Sequence, residues 1–377
     1  MKIKIWLFVV LFLFSARFSR AENGVTENEI LIGMSNAQTG PISKVGVETR
    51  DGAMVYFNKV NAAGGVQGRK IKLIVYDDGY EPSKAIANTR KLIDEDKVFA
   101  LLGYVGSPIS TAVMPIFTRA GVPYLFPVTG AEIIRKPVSK YIFTLRASYA
   151  DEVEVMIERL TRDLHIQRIG VFGQDDAFGD AGRFGVVTAL RKRNMVLVGG
   201  GKYERNTSDV DGALEALMKA NPEAIIMFCP YTPCAAFIKK AKARGFTPRF
   251  LHPGVGTTPL IHEAGRDADG LIITEVMPTP EQSSLPLVKE FISDMKGAGR
   301  VPDFESLESY LGAKVMVEAL KRTAPLTREA FLSTLQQLRI DAGGLEISFS
   351  PTDHQGLHRV FLTKVENGKV VTIEKLK

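Results

Sequence analysis

Ser107 and Thr129 are the two hydroxyl side chains best placed to hold an anion. Each follows a short apolar run that reads as a buried parallel strand, Phe99 to Tyr104 before the first and Pro123 to Pro127 before the second. Ser107 stands as an N-cap with Pro108 at the first helical position. The free amides and positive end of such a helix can hold a carboxylate, although capping alone would also account for the serine. In Val128-Thr129-Gly130 a hydroxyl sits beside exposed backbone amides, and a plain threonine turn is the competing reading. Two rings follow two later strands. Phe178 lies in the loop after Arg168 to Gly173, and Tyr231 in the loop after Ala224 to Cys229. Tyr231 joins an apolar body to a polar tip. Two anion sites facing two rings make a jaw; core packing competes with that role, more strongly for Phe178 than for Tyr231.

The chain shows no set of groups for catalysis. It has no G-x-x-x-x-G-K phosphate loop, no well-placed G-x-G-x-x-G, no G-x-S-x-G elbow, no H-E-x-x-H and no C-x-x-C. His165, His252, His262, His354 and His358 form no pairing that suggests a triad, so structural roles are expected for all five. Cys229 and Cys234 are the only cysteines, too few for a zinc site with no histidine near them. An oxidising compartment would let them pair. Two prolines and a strand-to-helix transition lie between them, so two buried free thiols are expected, with a disulfide as the alternative.

The elements that must position these residues begin after a leader. Residues 1–21 carry Lys2 and Lys4, the apolar run Ile5 to Phe14 and the small residues of Ser19-Arg20-Ala21, the pattern of a secretory signal peptide. That run is too short to span a bilayer comfortably, and no cysteine near the cleavage point offers a lipid anchor. Export to a periplasm is therefore expected. The 48 Lys and Arg exceed the 42 Asp and Glu by six, and four of those cations leave with the leader. The remainder forms no basic patch, which excludes a nucleic-acid footprint. At 45% hydrophobic and 24% charged the composition is that of a globular protein, and 377 residues predict two domains.

Ile30 to Asn36, Ser43 to Asn61 and Lys70 to Asp78 read as strand, helix and strand, a βαβ crossover. The alternation runs on, with Val153, Met156, Ile157, Leu160 and Leu164 forming a helical stripe and Met195 to Val198 a strand. Two parallel sheets covered on both faces are expected, one before about Ala147 and one after it. The tail lacks this alternation. Its three helices, its strands at 345–350, 358–365 and 370–376 and its Asn367-Gly368 hairpin signal are expected to complete the two sheets. The fold class is then α/β, two doubly wound parallel-sheet lobes joined by a three-segment hinge. Residues 22–147 and 279–341 would form lobe 1, and 148–278 and 342–377 lobe 2.

Several stretches resemble the branched-chain amino-acid (leucine/isoleucine/valine) binding proteins, the type I periplasmic binding proteins of ABC transporters. They are Ile30-Leu31-Ile32-Gly33 with Thr39-Gly40-Pro41, Asn61 to Lys70 (NAAGGVQGRK), and Tyr76-Asp77-Asp78 with Glu81-Pro82. The likeness covers nearly the whole chain after the leader. It implies that Ser107 holds a ligand carboxylate, that Val128, Thr129 and Gly130 form a second carboxylate loop, and that Tyr231 is a cleft tyrosine. The family usually has threonine at the position of Gly130, and many members have tyrosine at the position of Phe178. Members that bind amino acids place an acid at the position of Gly254 to pair with the ammonium. Its loss here implies a ligand without an amine, or another acid such as Asp175 or Asp176 in its place.

The resemblance implies a periplasmic receptor, not an enzyme, that closes on a small carboxylate-bearing solute. It would act as a monomer without metal or other cofactor and deliver the solute to an inner-membrane ABC permease and its ATPase. A sensor of the same fold with a membrane signalling partner is the main alternative. A hydrolase using Ser107 lacks a base, and a sugar receptor lacks stacking surfaces, since the single Trp6 lies in the leader.

Overall fold

The computed structural model describes residues 22–377, and the expected signal peptide at 1–21 lies outside them. The first sheet is built from β1 (Glu29–Asn36), β2 (Lys70–Asp77), β3 (Ala100–Leu102), β4 (Tyr124–Leu125) and β5 (Ile142–Phe143). They run in the order β2-β1-β3-β4-β5 and every pairing is parallel. Helices α1 (Ser43–Ala62), α2 (Pro82–Asp94) and α3 (Ser107–Ala120) make the crossovers. Ile30, Ile32 and Met34 point from β1 into the core while Gly33 lets Leu92 and Leu101 close over the opposite face.

Helix α4 (Tyr149–Asp163) opens the second half. Its entry is fixed by a capping box of Ser148 and Asp151, and its buried stripe is Val153, Met156, Ile157 and Leu160. There follow β6 (Ile169–Gln174), α5 (Ala177–Arg191), β7 (Gly199–Tyr203), α6 (Asp211–Ala220) and β8 (Ala224–Phe228). Then come α7 (Tyr231–Ala243), β9 (Arg249–Pro253), α8 (Thr257–Ala264) and β10 (Ile272–Glu275). The strand expected at Met195 to Val198 instead occupies β7, whose Gly199, Gly200 and Gly201 lie close under Ala220, Arg183 and Ala213. Apolar residues marked the approach to that strand, and the glycines, which pattern reading discounts, form it.

Helices α9 (Pro286–Gly297), α10 (Phe304–Arg322) and α11 (Arg328–Gln336) return to the first half. There α10 packs along α1 so closely that a Cβ on Gly52 would strike the carbonyl of Ser306. Strands β11 (Arg339–Asp341) and β12 (Glu346–Ser348) pair only with each other. The tail therefore does not extend the first sheet as expected. His354 instead stacks on Phe143 of β5 and Phe349 meets the same ring edge-on, while Thr144 makes a single bridge to Gln355. Strands β13 (Phe361–Glu366) and β14 (Lys369–Thr372) do join the second sheet, in the order β14-β13-β10-β9-β8-β6-β7. The molecule is an α/β protein of two lobes. Among the described residues no helix is long and apolar enough to cross a membrane.

The cysteines form a disulfide, with Cα atoms 5.6 Å apart, and are not the free thiols expected. Helix α7 starts two residues after Cys229, so its first turn carries Cys234 back over it. Pro230 precedes that helix and Pro233 sits in its first turn, where neither loses a helical hydrogen bond, so the prolines present no obstacle.

Candidate functional site

In each sheet the strand order reverses once, between β1 and β3 in the first and between β6 and β8 in the second. Ligands of open α/β sheets lie beyond the carboxyl ends of the strands at such points. A narrow cavity lies there, between the two lobes. The first half lines it with Ile42, Val45, Tyr80, Val105, Gly106 and Val128. The second half contributes Tyr149, Phe178, Pro230, Tyr231 and Val255. None of these side chains carries a charge.

Ser107 is the first helical residue of α3, and the N-cap is Gly106 at φ 101, with no side-chain capping bond. The capping role expected for Ser107 is thus absent. Its hydroxyl lies 2.8 Å from that of Thr129, both fully buried in the layer behind Gly106 and Val128. Gly106 must be glycine twice over, since its φ is positive and a Cβ would enter the Tyr80 ring. The Thr129 hydroxyl also accepts the amide of Ala131 at 3.2 Å, a local turn bond that leaves its pairing with Ser107 intact. At Gly130 a Cβ would lie 2.5 Å from Cδ1 of Tyr149, so the threonine usual at that position in the resembled family has no room. Tyr149 fills that space and lines the cavity.

Phe178 packs on Tyr149 and Phe228 at 5.5 and 5.8 Å between ring centroids, and Asp176 holds its amide at 2.9 Å. It is therefore a core residue and a lining residue at once. Tyr231 opens α7 and lies against Gly256. Val128, Phe178 and Tyr231 thus touch the cavity, Ser107 and Thr129 stand behind it, and Gly130 lies under Tyr149. Gly254 is one residue from the lining, and a Cβ there would collide with the carboxylate of Glu275. Asp176 is occupied by Gln174, the Phe178 amide and Arg205, and Asp175 is paired with Lys202 at 2.8 Å. Neither acid reaches the cavity.

Charge collects behind Gly254. Arg146, fully buried, donates to the Gly254 carbonyl at 3.0 Å and lies 3.6 Å from Glu308 and 4.0 Å from Glu152. Burial opposes its charge, but Glu308 and Glu152 outweigh it and hold the guanidinium above its ordinary range. Burial pushes Glu152 up to about 7 against the pull of Arg146 and the Thr274 hydroxyl. Glu275, which accepts from Thr257 at 2.5 Å, is raised well above its usual value by burial. His252 is pushed down to about 4 by burial, which keeps it neutral, with Nε2 2.8 Å from the Cys229 carbonyl.

Tyr80 and Tyr149 are the lining rings that pattern reading missed. Tyr80 follows Asp78, which holds its amide at 2.9 Å in the left-handed region at φ 64. Such strain in a non-glycine residue is a mark of functional loops. Its hydroxyl accepts from Gln174 across the cleft at 3.3 Å, and Glu81 pairs across the same seam with Arg205 at 3.2 Å. These contacts join the two halves along one edge of the cavity.

A family model described as periplasmic binding protein matches residues 29–369. The chain is 25% identical to the Leu/Ile/Val-binding protein homolog 7 of Brucella abortus over 366 residues, 92% of this chain and 91% of that one. It is similar to the crystal structure of a possible leucine/isoleucine/valine-binding protein from Rhodopirellula baltica, with TM-score 0.88, 31% identity and coverage of 94% and 98% of the two chains. It is also similar to a substrate-binding periplasmic protein from Ralstonia solanacearum, with TM-score 0.85, 29% identity and coverage of 91% and 100%.

Proposed function

The chain belongs to the periplasmic binding protein family, and we propose that it is the solute receptor of an ABC importer. It binds a small, mostly apolar carboxylate between its lobes and hands it to an inner-membrane permease and its ATPase, acting as a monomer in the periplasm. The observation that carries this reading is the uncharged cleft at the carboxyl ends of both parallel sheets. The Ser107–Thr129 pair and the first turn of α3 stand on one side of it, and Tyr149, Phe178 and Tyr231 on the other. The helix end and hydroxyls suit an anion. The rings and valines suit an apolar body.

No lining residue supplies a countercharge, and an ammonium buried without one is costly. Acids that lack the amine therefore bind more tightly than the matching amino acids. Closure joins residues 22–147 and 279–341 to residues 148–278 and 342–377, with the stretch around Phe349 and His354 resting on Phe143 before β13 is reached. Contacts made only in the closed form shift the open–closed equilibrium when the solute bridges the halves. The solute leaves unchanged, since no nucleophile–base pair faces the cavity.

A thermal-shift screen of the protein without residues 1–21 tests this. The panel is amino acids, aliphatic and aromatic acids lacking the amine, their amides, and sugars. A rise in melting temperature with one class of acids supports the reading. A rise with sugars alone, or with none of the panel, contradicts it.

A further inference from the structure

Helix α10 begins at a buried seam. Asp303 is its N-cap and Glu305 lies in its first turn, and the close packing of Gly52 against Ser306 brings Glu48 of α1 beside both. One carboxylate oxygen from each of Glu48, Asp303 and Glu305 lies within 4.8 Å of the other two. Among the described residues none of the three has a Lys, Arg or His partner within 4.0 Å; Lys44, exposed one turn earlier on α1, acts on Glu48 and Asp303 from further off, and the buried Arg146 acts likewise on Glu305. The second observation is the Glu305 carboxylate itself. The residue is 2% exposed, its Oε1 accepts the amide of Gly256, and its Oε2 is buried with no hydrogen-bond partner. Oε2 of Glu48 is orphaned in the same way. A buried carboxylate oxygen without a donor costs more than most single contacts return.

We propose that Glu48, Asp303 and Glu305 hold a hard divalent cation of calcium size. All three ligands are carboxylate oxygens, the donor type that selects calcium or magnesium over the softer transition metals. Two oxygens bound to one Ca²⁺ at about 2.3–2.6 Å can lie up to roughly 5 Å apart, whereas Mg²⁺ draws them to about 4 Å. The three oxygens lie within the reach of a calcium ion. Thr258 donates its hydroxyl to Asp303 at 2.8 Å and Gly256 donates to Glu305, so the cation stands where α8 of the second half meets α1 and α10 of the first. Gly256 adjoins Val255 of the cavity lining, and Val45 precedes Glu48 by one helical turn. The alternative neutraliser is a proton shared between Glu48 and Glu305.

Calorimetric titration of the chelator-treated protein with CaCl₂ separates the two. One site per chain is expected, with affinity lowered at least tenfold in both Glu305→Gln and Glu48→Gln, and unchanged in Glu318→Gln, whose acid lies elsewhere on α10. Melting temperature in the same samples should rise with Ca²⁺ only in the wild type and Glu318→Gln. Absence of binding at millimolar Ca²⁺, or wild-type binding by the two seam variants, overturns the proposal and leaves the shared proton as the explanation.

Discussion

The two sides of the cleft are built from different materials. On the first, two buried hydroxyls hold each other at 2.8 Å behind a glycine at φ 101, and α3 starts directly after that glycine of the lining. On the second, Tyr149, Phe178 and Phe228 form one packed set of rings, with Tyr231 beside them. Under the proposed function the first side fixes where the anionic group lies, because its two hydroxyls are held in place by each other. The second fixes shape, because its rings are set by one another. Charge, the feature most often sought in a binding site, is spent behind the second side, where Arg146 serves Glu152, Glu308 and the Gly254 carbonyl.

If that charge is structural, removing it should cost stability before anything else. Arg146→Met strands Glu152 and Glu308 in the interior and is expected to lower unfolding free energy by about 3–5 kcal/mol in urea titration. A loss below about 1 kcal/mol would show that the cluster has other means of neutralisation. Glu152 gives the pH test. Its carboxyl is raised from 4.5 to about 7, so between those values the folded state binds more protons than the unfolded chain. Wild-type stability relative to Glu152→Gln is then greatest below pH 4.5 and falls as pH rises to about 7, by on the order of 3 kcal/mol. An opposite slope would mean that Arg146 dominates burial. Reduction of the disulfide closing the short Cys229–Cys234 loop is expected to cost about 2 kcal/mol and to loosen Tyr231 at the start of α7. Chemical denaturation with and without a reductant measures it. The mildest change is Ser107→Ala, with about 1 kcal/mol or less lost in the ligand-free protein. On the proposed reading the acid takes the Ser107 hydroxyl from Thr129, so affinity for a bound acid should nonetheless fall about tenfold in the variant, since hydrogen bonds to charged groups are the stronger ones.

Much of this architecture is written in local pattern. The βαβ opening from Ile30 to Asp78, the stripe of α4 and the loops after β3, β4, β6 and β8 follow from apolar runs broken by Gly, Pro and Ser. What escaped depended on distance in sequence. Tyr149 reads as the start of an amphipathic helix, and only its packing over Gly130 brings it to the cavity. The pairing of Cys229 with Cys234 turned on where α7 begins, at Tyr231. Arg146 meets Glu308 and the Gly254 carbonyl from more than a hundred residues away in sequence, and no spacing announces that meeting. Gly254 was legible as a lost acid, but the reason, Glu275 filling the space from the neighbouring strand, was not.

The central claim is that the first side of the cleft anchors a carboxylate. Isothermal titration of the acid found by screening, beside its primary amide, tests it in wild type and Ser107→Ala. The acid is expected to bind at least tenfold more tightly than the amide in the wild type, with most of that advantage gone in the variant. Equal affinity for acid and amide in the wild type would contradict the account.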